Sequence, residues 1–342
     1  MSVWITYAPW GESLAELTEA ARQAERAGAE VVWAPEMHRS ATISAAALAA
    51  GTESSMIGTA VTLAFTRSPM ITALEAMDID ELSNGRFILG LGTGVRGVNE
   101  NWHNVRWESP VPHLRETVSV IRQIVANSHR GEPMQYQGEC EHLRIVGYQR
   151  PAPPVRTSIP IYLGGVGPAM TRLAGRIADG WISHELCSPL ALRETALPAL
   201  EQGLTQAGRT RRDLEVVVSA VCSIDDDPAT ARRWAAGGVG FYATVRSYAD
   251  FFALHGLGED QQRIVDRFAQ GDVTSSYLGD YVSDRMIDQL TLTGTAEQVR
   301  QRLAEYEGLA DAVKLSPPTH GLPPEVIRQA QQRLIAAIAS WS

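Results

Sequence analysis

The chain has 342 residues, 44% of them apolar and 20% charged, the make-up of an ordinary globular protein that buries a sizeable core, which argues against disorder. Thirty basic against 39 acidic side chains give a net charge of -9, with no Lys/Arg block, so nucleic acid is excluded as an expected partner. No apolar run reaches membrane-spanning length and the start, "MSVWITYAPWGESLAE", has no basic segment before a long apolar core, so a cytoplasmic protein without a membrane partner is expected.

Along the chain, short β-branched or apolar runs alternate with amphipathic stretches. The runs are "VWITYAP" from 3, "EVVWAP" from 30, "MIGTAVTL" from 56, "RFILGLG" from 86, "IPIYLGG" from 159, "GWISHE" from 180, "LEVVVSAVCSI" from 214 and "AVKLSPP" from 312. After the first, Ser13 and Glu16 form a capping-box pattern, Leu14, Leu17, Ala21 and Ala24 recur at helical spacing, and Gly28 closes the element. Thr295 and Gln298 open a similar helix ahead of Gly308, and "PPEVIRQAQQRLIAAIAS" is an eighth-helix candidate with Pro near its first turn. Eight strands, nearly all apolar on both faces and each followed by a helix, predict an α/β fold, a (β/α)8 TIM barrel with insertions. A doubly wound sheet with a second domain is the alternative. A barrel takes roughly 250 residues, which leaves insertions near 95–111, 128–158 and 239–293 in a single domain over 1–342. These are expected to wall the pocket.

Two glycine motifs compete for a phosphate. "GTGVRG" at 92–97 matches G-x-G-x-x-G, but "VNENWHNVRWESPVP" follows it where a dinucleotide fingerprint needs a helix at once. It reads as a strand-to-loop turn or as close backbone approach to a flat ligand. "GGVGPAM" at 164–170 breaks the fingerprint, yet it lies between a strand and a convincing helix. Successive amides of Gly164, Gly165, Val166 and Gly167 ahead of Pro168 would make an anion nest, with a tightly packed βα turn as the other reading. Cys140, Cys187 and Cys222 are too far apart to suggest a disulfide framework or a zinc site, and no HExxH or EF-hand pattern occurs, so no metal is expected. "DDDP" at 225–228 reads as a helix N-terminus rather than a carboxylate cluster.

Taken together, "DIDELSNGRFILGLGTG" (78–94), "IPIYLGGVGPAMTRLAGRIADGWI" (159–182), the stretch 33–77 and "GTAEQVRQRLAEY" (294–306) resemble the signature blocks of the bacterial luciferase-like superfamily of flavin- and deazaflavin-dependent oxidoreductases. The stretch 92–124 is most similar to members that use coenzyme F420, such as the methylenetetrahydromethanopterin reductases; members that use FMN and oxygen share the same skeleton. The resemblance implies a barrel oxidoreductase that moves a hydride between the deazaflavin and a small-molecule substrate, with a homodimer usual. An FMN-dependent monooxygenase and a non-catalytic flavin carrier are the rival readings.

The same resemblance assigns site residues. It implies a non-proline cis peptide at Ala60-Val61, against the cofactor ring, with Thr62 beside it and with Gly92 and Thr93 at the end of the next strand. His38 matches a ring-contacting histidine and is the first candidate for a catalytic role. Glu36, the second catalytic candidate, orients His38 or makes a structural contact with a neighbouring strand. Asn99 matches an asparagine that reaches the cofactor in the sugar-phosphate dehydrogenases of the family, but Val95 and Arg96 stand where those enzymes have a catalytic Glu, which disfavours sugar-phosphate oxidation. Gly164, Gly165, Val166, Gly167, Pro168, Ala169 and Met170 match the phosphate nest, which Ser183 or His184 would assist. Glu100 and His103 rank below His38, and Trp102 and Trp107 stack on a ligand or cover a core edge.

Overall fold

A computed structural model describes residues 3–271 and 275–341. Each of the eight apolar runs forms a strand: β1 (Trp4–Tyr7), β2 (Val31–Ala34), β3 (Met56–Thr59), β4 (Phe87–Gly92), β5 (Ile161–Gly164), β6 (Gly180–Ile182), β7 (Glu215–Ile224) and β8 (Ala312–Ser316). They pair in the order β7-β8-β1-β2-β3-β4-β5-β6, with β6 also paired to β7, so the fold is α/β, a (β/α)8 barrel. Among the described residues no helix is long and apolar enough to cross a membrane. Contacts divide the chain into two compact units.

The first unit comprises Met1–Val32, Ser183–Pro198 and Glu215–Ser342. Its centre is the parallel ladder of β1, β8 and β7, in which Trp4 to Tyr7 pair with Ala312 to Leu315 and Val217 to Val221 pair with Ala312 to Ser316. Leu292–Gly294 extends the ladder beside Cys222 to Ile224, a strand too short to stand out in the sequence. Helix Leu14–Arg26 buries Leu17, Ala20, Ala21 and Ala24, one apolar stripe of an otherwise polar helix. Ser13 Oγ accepts the Glu16 amide at 3.1 Å, but the Glu16 carboxylate accepts from the Glu12 amide and from Arg328. The expected capping box is therefore half made, because an arginine on the last helix, Pro324–Trp341, competes for the glutamate. The box at Thr295 and Gln298 is complete in both directions. Asp227 caps Pro228–Ala243 by accepting the amides of Ala229 and Thr230 at 3.2 Å each. The stretch 239–293 is mostly helical, with Ala249–Leu254, Gly258–Ala269 and Asp284–Leu290 packing Phe252, Ile264 and Met286 into one cluster; residues 272–274 of it lie outside the described residues.

The second unit comprises Trp33–Ile182 and Ala199–Leu214. Here β3, β4, β5 and β6 pair in sequence, with Ile57 opposite Phe87, Leu89 opposite Ile161 and Leu163 opposite Trp181. The stretch 95–111 holds one turn of π-helix, Val98–Trp102, and 128–158 holds an antiparallel hairpin, Met134–Gln137 with His142–Ile145. Glu116, on helix Pro110–Asn127, fixes that hairpin. Its buried carboxylate accepts the amides of Glu139, Cys140 and Glu141 at 3.2, 2.8 and 3.0 Å and a bond from Arg115 at 3.1 Å. Burial alone would raise this carboxyl, but the three amides and Arg115 outweigh it and hold the group at about 2.

A depressed carboxyl stabilises the fold above its unfolded pKa, about 4.3, and that contribution is lost as pH falls toward 2. Replacing Glu116 with Ala leaves three amides without an acceptor and is expected to cost about 1–3 kcal/mol. Urea melts at pH 7 and pH 3 check this: the wild type should lose stability between them, and the difference between wild type and Glu116→Ala should shrink at the lower pH.

Candidate functional site

Three strand ends of the second unit meet at Val61. The Ala60-Val61 peptide bond is cis, and the Ala60 amide donates to the Ala34 carbonyl at 3.0 Å. Thr62 and Leu63 continue as a short strand paired with Leu91 and Gly92. A Cβ at Gly92 would fall 2.5 Å from one methyl of Val61, and a Cβ at Gly164 would fall 3.0 Å from the other. These two glycines are thus required by the isopropyl group that fills the space between them. This is a steric role for a glycine of each motif which spacing alone does not reveal. Gly165 is crowded in its own way, by the side chain of Met170.

The segment after the cis bond is anchored by Glu36. Its carboxylate accepts the Leu63 amide at 2.7 Å and both terminal nitrogens of Arg67, one at 2.9 Å. Arg67 also donates to Ser40 Oγ at 3.3 Å and stands 3.6 Å from Glu75, whose carboxyl is raised by burial against the pull of Arg67. A planar guanidinium gripping a carboxylate at two points fixes geometry as well as charge. Glu36 therefore makes a contact with the chain after β3, and its oxygens do not bond His38. The partner, Arg67, was absent from the sequence candidates, though a lone arginine after the apolar "TAVTLAFT" was the available signal. His38 is exposed and makes no hydrogen bond among the described residues.

The loop after β4 is organised by Asn99, which is fully buried. Its side-chain amide donates to the carbonyls of Thr93 at 2.8 Å and Val95 at 3.0 Å, closing the loop on itself, while Gly94 takes φ +65°. The G-x-G-x-x-G match thus leads into a pinned loop and a π-helical turn instead of an α-helix. Asn99 Oδ1 and Thr62 Oγ1 are both buried without a hydrogen-bond partner. Such atoms are few in native proteins and each calls for a partner. Glu100 pairs loosely with Arg96 at 3.8 Å, and Trp102 and His103 are exposed. Trp107 sets its edge on Phe65, which also stacks on His113 at 4.1 Å between ring centres, so this indole covers a core edge.

Beyond β5, Gly164 to Ala169 form the turn into helix Pro168–Ile177. The Gly165 carbonyl is held by Trp181 Nε1 at 3.2 Å, and the Gly167 carbonyl accepts the Met170 and Thr171 amides. The amides of Gly165, Val166, Gly167 and Ala169 have no acceptor among the described residues, and Val166 to Ala169 are exposed. Pro168 contributes no N–H. What remains is a run of free donors at a helix N-terminus, chemistry suited to an anion. In the first unit, Ser183 Oγ donates to the His184 carbonyl at 2.9 Å and accepts the Ser219 amide at 2.8 Å, and His184 Nδ1 accepts the Leu186 amide.

Comparison with known proteins adds relatives to this geometry. Residues 2–312 match the family model described as luciferase-like monooxygenase. The chain is similar to 5,10-methylenetetrahydromethanopterin reductase of Archaeoglobus fulgidus, 30% identical over 311 residues that cover 88% of this chain and 90% of that one. It is also similar to an uncharacterized protein of Mycobacterium tuberculosis, 29% identical over 305 residues, 88% and 89% of the two chains. Among solved structures, the coenzyme F420-dependent tetrahydromethanopterin reductase of Methanopyrus kandleri superposes with a TM-score of 0.81 at 23% identity, covering 98% of this chain and 99% of that one.

The Val61 packing makes a reciprocal test. Gly92→Ala should destabilise the protein by about 1–3 kcal/mol through overpacking, and adding Val61→Ala should recover part of the loss. Thermal melts of the two single variants and the double variant measure the coupling.

Proposed function

The chain belongs to the luciferase-like monooxygenase family, and from that premise we propose that it is an oxidoreductase that holds coenzyme F420 and passes a hydride between it and a small organic substrate. The observation that carries the reading is the coincidence of two orphaned buried polar atoms, Asn99 Oδ1 and Thr62 Oγ1, with a run of free amides from Gly165 to Ala169. The first pair suits the polar edge of a ring system and the second suits a phosphate. The name of a similar protein of Mycobacterium tuberculosis, putative coenzyme F420-dependent oxidoreductase, 29% identical over 321 residues, supports the choice of F420 over FMN.

When bound, the deazaflavin supplies a two-electron carrier with carbon in place of the flavin's reactive N5, which disfavours reaction with oxygen. The protein's part is to bind, orient and exclude water. Ala60, Val61, Thr62, Gly92 and Thr93 would present a small, mostly apolar surface to the ring. Asn99 would accept from it through Oδ1 while its amide keeps the loop closed. Gly164 to Met170 would hold the phosphate through backbone donors, with no side chain competing for the space at Gly167. His38, exposed and unbonded, is the residue assigned to proton exchange with the substrate, since its ring nitrogens are free to bond a substrate oxygen. Glu36 would act at one remove, holding through Arg67 and Leu63 the segment that carries the cis bond.

Absorbance titrations of the purified protein with F420 and with FMN test the reading. Tight F420 binding and weak FMN binding are expected; tight FMN binding without F420 binding would overturn it in favour of an FMN-dependent monooxygenase. Bound cofactor that no substrate reoxidises would instead indicate a carrier. Gly165→Asp places a carboxylate among the phosphate donors and should weaken F420 binding by at least about tenfold, or about 1.4 kcal/mol. His38→Ala, which removes an exposed side chain and no hydrogen bond, should change stability by less than about 0.5 kcal/mol and lower the single-turnover rate.

A further inference from the structure

A row of buried polar side chains crosses three adjacent strands of the first unit. Thr6 on β1, Lys314 on β8 and Ser219 on β7 are register partners, with exposures of 0%, 2% and 1%. Partners in a parallel ladder share a face of the sheet, and barrel strands ordinarily fill such layers with Val, Ile and Leu. The Lys314 ammonium is paired with Glu185, just beyond β6, and lies 3.4 Å from Ser316 Oγ. Removing both charges from water opposes folding unless the geometry is completed by further bonds. Here it is left incomplete, because Glu185 Oε2 and Ser219 Oγ are buried without partners.

Aromatic rings stand around this group. His184, next to Glu185 in the chain, meets Tyr248 at 4.8 Å and Phe251 at 4.7 Å between ring centres, both edge to face, and Tyr242 lies 5.0 Å from Tyr248. The hydroxyls of Tyr242 and Tyr248 make no hydrogen bond among the described residues. Burial, with a smaller contribution from His255, pushes the His184 imidazole down to about 3, so the ring is neutral. Its Nδ1 accepts the Leu186 amide at 3.2 Å, which leaves the proton on Nε2. The Glu185 side chain is 24% exposed and Lys314 2%, and Glu185 is the charged group felt by both Tyr242 and Tyr248.

We propose that Glu185, held by Lys314 and surrounded by His184, Tyr242 and Tyr248, is a substrate subsite for a small uncharged ring compound that carries an O–H or N–H donor. The donor bonds Glu185 Oε2, the ring packs against the aromatic side chains, and their free O–H and N–H groups serve an oxygen of the same compound, the donor oxygen included. Lys314 is already neutralised by Glu185, so the subsite offers no unpaired cation to a carboxylate or phosphate. The assignment rests on the reading of the chain as a small-molecule oxidoreductase and adds the chemical class of its substrate.

Ligand-observed NMR titrations of the full chain without cofactor, using phenol, anisole and benzoate, test it directly. Phenol should bind at least about tenfold more tightly than anisole, which keeps the ring and loses the donor, and than benzoate, which adds a charge. In Glu185→Leu/Lys314→Met, which replaces the pair with apolar groups that buried sites tolerate, the preference for phenol over anisole should vanish. Tyr248→Phe, which removes only a hydroxyl, should weaken phenol and keep the order of the three probes. Equal binding of phenol and anisole, tighter binding of benzoate, absence of phenol binding, or a preference that survives in the double variant would each overturn the proposal. F420 titration of the same proteins separates the two readings, because loss of the phenol preference with unchanged F420 affinity belongs to the subsite alone, whereas wild-type protein that binds phenol but no F420 contradicts the cofactor assignment.

Discussion

The isopropyl group of Val61 occupies a space that exists only because positions 92 and 164 carry no side chain. That single close approach ties together the ends of β3, β4 and β5, the three places from which the candidate cofactor residues of the second unit project. The remaining supports serve the same end. Glu36 and Arg67 hold the chain that follows Val61, the Asn99 amide closes the loop that follows Gly92, and Trp181 grips the turn that follows Gly164. Each support is a hydrogen bond to backbone or a two-point ion pair, the kinds of contact that fix position rather than merely fill volume.

Much of the fold was legible because apolar runs and helical stripes report burial directly. All eight strands were found by that signal, and the helix starts at Ser13, at 225–228 and at Thr295 by their capping or acidic residues. Leu292–Gly294 and the hairpin at 134–145 escaped it, being short or half exposed and so lacking a strong apolar pattern. Glu16 shows a different limit: its pattern promised a reciprocal cap, but its carboxylate met Arg328, more than 300 residues away, and no local rule anticipates such a competitor.

The site divides along the same line. The cis bond at Ala60-Val61 came from family resemblance, whereas the reason for glycine at 92 and 164 needed the packing of Val61. Of the two catalytic candidates, Glu36 proves to be engaged on both oxygens and His38 on neither nitrogen, a distinction that residue type alone could not make. Lys314 went unnoticed in the sequence because one lysine in a run such as "AVKLS" looks like an ordinary strand residue turned to water; only the register with Thr6 and Ser219 shows that it is inside. Buried polar groups of this kind cost stability, and proteins retain them chiefly where function uses them.

The bond from Trp181 Nε1 to the Gly165 carbonyl has an optical consequence. Indole emission responds to the polarity around the ring and to the bond its N–H makes, and Trp181 sits with that N–H on the turn whose free amides face outward. The turn therefore carries its own chromophore. An anion that shifted this turn would shift the carbonyl bonded to the indole, and with it one contribution to the emission of the protein's eight tryptophans.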